Sequence, residues 1–247
     1  MALPKIKSPI FELNLPSNGA PVKYRPFLVK EQKLLLMALE SEEPTEMFRA
    51  IKQIINNCSI DDIEVDDMPM FDLEFFFLKL RAKSIGEIID LQLRHPNGIN
   101  SEGVECAHAT PLKLNLMDVN VVKDANHNVK IMLDEESKIG IVLKYPTVSM
   151  SAKSNVDSKD KSQMDTIVDI VCNSIDYIFD AEAVYPASET SKAELLTFVN
   201  DLNQEQFAKL TNFFSTIPKL KQDFDWKCSK CGCKEHIELE GMTSFFG

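Results

Sequence analysis

Apolar positions recur with a period near 3.6 residues in three stretches of the first ninety residues. Leu28, Leu35, Leu36 and Leu39 share one helical face, and after Pro44 a second face gathers Met47, Phe48, Ile51, Ile54, Ile55 and Cys58. Together they predict a helical hairpin. Phe71 to Arg81 is apolar almost all round and includes Phe75, Phe76 and Phe77, with Pro69 suited to a first turn and Asp67 near the cap. Such a helix either sits at the centre of a core or docks on a partner.

The period then drops to two. Ile89, Leu91 and Leu93 alternate with polar residues, as do Leu112, Leu114 and Leu116 followed by Val119 and Val121, which predicts two strands. The loop between them carries His95, Cys106 and His108. A further hairpin pairs Val129, Ile131 and Leu133 with Ile139, Ile141 and Leu143 across a polar turn at 134–138. Helical periodicity returns after residue 161. Met164, Ile167, Val168, Val171, Ile175, Ile178 and Phe179 form one stripe. Ser191 with Glu194, and Asn203 with Gln206, have capping-box spacing ahead of two more apolar faces, the second ended by Pro218.

Six regions follow: an extended arm, 1–26; a helical region, 27–84; a β-hairpin region, 85–148; a Ser-, Lys- and Asp-rich linker, 149–161; a second helical region, 162–220; and a C-terminal knuckle, 221–247. Five prolines in the arm forbid helix there and favour extended chain, lying either on the protein's own body or on a neighbouring subunit. The fold class is α+β: a helical core, small antiparallel hairpins and a zinc-ribbon-like knuckle at the C-terminus.

Composition narrows the function. With 44% hydrophobic and 26% charged residues, 247 positions suffice for a sizeable core, and no apolar run approaches the roughly 20 residues of a membrane helix. Neither a membrane nor secretion is expected, so the six cysteines are read as reduced thiols or metal ligands. A formal charge of -11 argues against nucleic acid as a partner, because phosphate affinity needs clustered Lys and Arg.

The chemistry concentrates at Cys228-Ser-Lys-Cys231-Gly-Cys233, with His236 just beyond. Two thiolates separated by two residues on a tight turn can grip one tetrahedral ion, zinc being the expected one, and the site is expected to be structural. Two sources offer the remaining ligands. Cys233 and His236 would close the site locally, although so compact a loop can hardly wrap four donors round one ion. Cys106 and His108, with His95 in reserve, would instead bring a distant loop to the knuckle, as zinc ribbons do. His127 lies in a polar Asn-His-Asn turn and reads as ordinary surface; Cys58 and Cys172 lie on apolar faces and read as small buried hydrophobes. Phosphate-loop, dinucleotide, serine-hydrolase and metalloprotease motifs are absent from the sequence, so nothing specific points to an enzyme.

Three segments carry a resemblance: Tyr24-Arg-Pro-Phe27-Leu-Val-Lys30-Glu-Gln-Lys33, Leu78-Lys-Leu-Arg81-Ala-Lys-Ser84-Ile-Gly86-Glu87, and Phe213-Phe214-Ser-Thr-Ile-Pro218-Lys-Leu220. With the close from Cys228-x-x-Cys231-Gly232 to Leu239-Glu-Gly241-Met-Thr-Ser-Phe245-Phe246, they make the chain similar to the baseplate hub subunits and hub assembly proteins of T4-like contractile-tailed phages. That family often carries a second Cys pair in the loop after its Ser-x-Gly-Glu strand, where this chain has His95, Cys106 and His108 in a longer insertion. The resemblance implies a phage protein made in the host cytoplasm, with other baseplate or hub proteins as partners and self-association possible. Such a protein either occupies the tail hub or acts only while the hub is built.

Overall fold

A computed structural model describes residues 6–41, 43–151 and 162–245. In chain order the elements are β1 (Phe11–Asn14), β2 (Pro21–Tyr24), α1 (Val29–Glu40), α2 (Pro44–Cys58), α3 (Met70–Ser84), β3 (Ile88–Leu93), β4 (Thr110–Asn115), β5 (Asn120–Val122), β6 (Lys130–Asp134) and β7 (Ile139–Leu143). They continue with α4 (Gln163–Ser174), β8 (Ile175–Phe179), β9 (Val184–Pro186), α5 (Lys192–Asn200), α6 (Gln204–Ser215), β10 (Lys219–Lys227) and β11 (Lys234–Glu240). The architecture is α+β, with small antiparallel sheets. Residues 152–161, most of the expected linker, lie outside the described residues. The elements fall into two compact units, one of Met1–Val65, Phe71–Val122 and Lys219–Gly247, the other of Asp66–Met70 and Lys123–Pro218.

In the first unit the proline-rich arm is a β1–β2 hairpin, turning at Gly19 with φ +71 and held on its own chain. Its turn is anchored by Asp72 of α3, whose carboxylate accepts from both the backbone N–H and the hydroxyl of Ser17. Its far end is anchored by Tyr24, buried edge-on against Phe76 at 5.4 Å. Arg25 ties the hairpin to α2 through the Asn57 carbonyl and to α1 through Glu31.

The buried face of α1 is Glu31, Leu35 and Ala38, while Leu28, Leu36 and Leu39 stay 45%, 51% and 49% exposed. Of the four leucines expected on one face, Leu28, Leu36 and Leu39 are therefore turned outward, and Leu35 is buried. The Arg25 guanidinium and the Leu28 N–H both engage Glu31, which fixes the rotation of the helix about its axis. In α3, Leu73, Phe76, Phe77, Leu78 and Leu80 are at most 1% exposed, so this helix is the centre of the core.

The strand expected over 112–121 divides in two. Asn115 opens a turn by accepting from the Met117 and Asp118 N–H groups, and β4 then pairs with β3 whereas β5 pairs with β10. Lys79 reaches this turn and donates to the carbonyls of Leu116, Met117 and Val119 at 3.1, 2.7 and 2.6 Å. The three-stranded sheet of the unit runs β11-β10-β5.

The second unit is the four-stranded antiparallel sheet β6-β7-β8-β9 with α4, α5 and α6. The stripe expected to be one helix through Phe179 ends at Ser174. Ile175 turns to extended geometry, and Ile175 to Phe179, rich in β-branched and aromatic residues, pairs with β7. Both expected capping boxes form, Ser191 with Glu194 and Asn203 with Gln206. His127 is not surface: it is 7% exposed, stacked on Tyr145 at 5.5 Å, and hydrogen-bonded to Thr216 Oγ1 and Tyr145 Oη. Burial, with Lys123 nearby, lowers its pKa and keeps the ring neutral.

Candidate metal centre

Two loops of the first unit meet at one point. The Cys228 knuckle joins β10 to β11; its backbone closes with Cys228 N–H on the Cys233 carbonyl and Gly232 N–H on the Cys228 carbonyl, both at 3.0 Å. Gly232 sits at φ +76, a conformation that disfavours any residue with a Cβ. The opposing loop joins β3 to β4. Asn100 organises it, its side-chain oxygen accepting from the Glu102 and Val104 N–H groups, while Cys106 N–H donates to the Gly98 carbonyl.

Each loop folds so that sulfur atoms collect backbone donors. Cys231 and Lys230 N–H groups point at the Cys228 sulfur and pull its pKa down to about 5. The Cys233 N–H likewise acts on Cys231, whose pKa is also lowered. At Cys106 the His108 N–H also acts downward, but burial and the neighbouring Cys228 and Cys231 sulfurs leave that thiol raised. Thiolate is the form that a metal ion binds.

The donor atoms of His95, Cys106, Cys228 and Cys231 lie within 4.8 Å of one another, a set that could hold a metal ion. Cys106 Sγ and Cys228 Sγ are 3.8 Å apart, and Cys231 Sγ lies 3.3 Å from His95 Nε2. A zinc–sulfur bond of about 2.3 Å places two thiolates of a tetrahedron about 3.8 Å apart, the spacing of Cys106 and Cys228. That spacing exceeds by far the roughly 2.05 Å of a disulfide bond.

The second ring nitrogen of His95 is also engaged. Nδ1 lies 2.9 Å from Glu235 Oε1, and the same oxygen accepts the Ser101 N–H at 2.9 Å. A carboxylate on the far nitrogen fixes the tautomer that presents Nε2 to an ion. Trp226 lies against the imidazole at 5.1 Å, and His95 is 3% exposed. Without an ion, the Cys228 sulfur and then Glu235 and Cys231 raise His95 to about 9, so metal entry must displace a proton there.

The sequence-expected ligands thus divide. Cys106, Cys228 and Cys231 converge, and His95, the reserve candidate, is the fourth member of the cluster. His108 is exposed, with its Nε2 2.8 Å from Ser229 Oγ: its backbone N–H, not its ring, serves the site. Cys233 is buried and accepts from Asn100 Nδ2 at 3.2 Å. His236 points to solvent beside Asp225, 3.0 Å away. Sequence reasoning missed Asn100 and Glu235. The Asn100-Ser-Glu-Gly103 turn signature could have flagged the first; nothing local distinguishes Glu235 from the other acids of β11.

A family model described as T4 bacteriophage base plate protein matches residues 8–247. No curated protein and no solved structure matches the chain.

Proposed function

This chain belongs to the T4 bacteriophage base plate protein family, and from that premise we propose that it is a noncatalytic structural component of a contractile tail, akin to the central hub subunit. Its partners would be other baseplate proteins, met first in the host cytoplasm and then in the virion. In this reading a zinc ion held by His95, Cys106, Cys228 and Cys231 pins the C-terminal β10–β11 hairpin to the β3–β4 hairpin. One observation supports it above the rest: the donor atoms of buried His95, Cys106 and Cys228 and of Cys231 gather within 4.8 Å of one another. Four protein ligands leave no position for water or substrate, which favours a structural ion over a catalytic one.

Elemental analysis tests the metal reading. One zinc per chain is expected in the wild type and in His108→Ala, and none in His95→Ala or Cys106→Ser. Zinc kept by both of the latter variants, or lost from His108→Ala, refutes this ligand set. Mass spectrometry of purified particles tests the role. Stoichiometric presence supports a hub component; absence would make the protein an assembly factor that leaves before the particle is finished.

A further inference from the structure

The β11 edge carries a self-complementary pattern that neither the metal site nor family membership uses. Among the described residues β11 pairs as a strand only with β10, and on its other side the Glu240 carbonyl accepts from the Ser244 hydroxyl at 2.7 Å. Which backbone groups face that side follows from the register. Cys228 N–H bonds to the Cys233 carbonyl and Gly241 N–H to the Leu220 carbonyl, and the ladder between them runs from Lys227 opposite Lys234 to Lys221 opposite Glu240. In an antiparallel ladder, residues bonded to the neighbour alternate with residues whose N–H and C=O point away. Glu235, Ile237 and Leu239 therefore bond to β10, while Lys234, His236, Glu238 and Glu240 direct their backbone groups outward.

We propose that β11 pairs antiparallel with β11 of a second copy about a two-fold axis at Ile237, joining two three-stranded sheets into one. The geometry selects this register. A two-fold axis at Ile237 sets Lys234 against Glu240 and His236 against Glu238, all four being residues with outward-facing backbone groups. Each such pair exchanges both of its N–H···O bonds, the Glu240 carbonyl using the lone pair that Ser244 leaves open. On the solvent face the two contacts are complementary, Lys to Glu and His to Glu. On the other face Ile237 meets Ile237, beside the Phe224 and Leu239 side chains that pack on the core.

Charge within one copy favours the same solution. Lys234 stands opposite Lys227, and Glu238 opposite Asp223, two like-charge pairs of the hairpin ladder. Lys221 and Lys219 reach diagonally to Glu238 and Glu240 at 2.6 and 2.7 Å. A second copy adds the carboxylate that the Lys227–Lys234 pair lacks and a His beside Glu238. The contact is isologous, so it closes at two copies and builds no fibre. Pairing of a single short strand leaves the dimer weak, with dissociation at about 10–100 µM, as suits an interface below about 1,200 Å².

Sedimentation equilibrium on the full-length, metal-loaded chain tests the idea. Wild type is expected to pass from monomer to dimer over that range. Lys234→Glu sets Glu against Glu at both ends of the contact and Glu240→Lys sets Lys against Lys; each should weaken dimerisation at least tenfold. An equimolar mixture of the two should dimerise again, because each copy then offers what the other needs. His236→Pro, which deletes an outward N–H and no bond to β10, should be monomeric as well, and serves if a charge variant loses its fold. Zinc content and melting temperature matching wild type certify each variant as folded. A wild type that stays monomeric through 200 µM, single variants that associate as it does, or a mixture of folded variants that fails to pair would each overturn the proposal.

Discussion

Lys79 concentrates more consequence than any other single charge in the first unit. Its side chain leaves α3 inside the core, is 5% exposed, and ends on three carbonyls of the β4–β5 turn. Burial pushes its pKa down to about 8, so the ammonium still predominates at neutral pH. Lys79→Met keeps the length and the apolar stem but leaves three carbonyls facing a nonpolar group. A loss of about 3 kcal/mol is expected from urea denaturation at pH 7, since each orphaned buried acceptor costs roughly 1–3 kcal/mol and part of that cost is relieved by relaxation. Glu31 behaves in the opposite sense. Burial raises its carboxyl, but the Arg25 guanidinium, the Leu28 N–H and Lys30 outweigh burial and hold it below its ordinary value. A depressed carboxylate contributes stability above its unfolded pKa of about 4.3, and that contribution is lost as pH falls through the folded value. The stability gap between wild type and Glu31→Gln should therefore be widest at pH 7 and shrink towards pH 3. A gap independent of pH would mean that the folded and unfolded pKa values of Glu31 coincide, whereas a gap that grew towards pH 3 would mean a raised one.

Between elements, close contacts decide what the sequence could not. Gly140 on β7 lies opposite Phe179 on β8, and a Cβ at residue 140 would overlap the Phe179 ring. Lys130 of β6 covers the same ring at 4.5 Å. Gly140→Ala should destabilise the sheet by about 2 kcal/mol, the usual cost of overpacking, and Phe179→Leu in the same chain should recover most of it. Equal melting of the single variant and wild type would show the ring to be free to move aside. This pair also bears on an element whose type was misread from the sequence. Period 3.6 carries the Met164 stripe through Phe179 because Ile175 and Ile178 fall on the helical face, yet they pair with Leu143 and Ile141 across a sheet. Nothing within residues 164–179 announces that β7 will lie alongside. By contrast, the β3, β6 and β7 alternations and both capping boxes were legible, because each rests on local spacing alone. His127 was misread for the same nonlocal reason: Tyr145 and Phe213, which bury it, are distant in sequence.

At the scale of the whole chain, the candidate metal cluster belongs to one compact unit, whereas the other holds a separate core around Ile141, Val171, Ile175, Leu210 and Phe213. The knuckle was legible because Cys-x-x-Cys spacing on a turn is itself the geometry of a bidentate grip. That His95 rather than His108 stands beside the three cysteines was not, since it depends on Glu235, 140 residues away in sequence, holding the His95 ring. In the zinc reading, this long-range closure is what stabilises the first unit, because β10 and β11 reach the β3–β4 loop through the ion. Chelation should then act unevenly. Hydrogen exchange measured before and after a strong chelator is expected to show protection lost in β10, β11 and 95–110, while β6, β7 and β8 keep theirs. The melting transition of the first unit should fall by about 10 °C or more, since binding free energy at a structural zinc site is folding free energy. Uniform loss across both units would mean that they unfold as one cooperative body. Protection unchanged everywhere would mean that the four donors hold their places through backbone hydrogen bonds alone, with the ion contributing nothing to the fold.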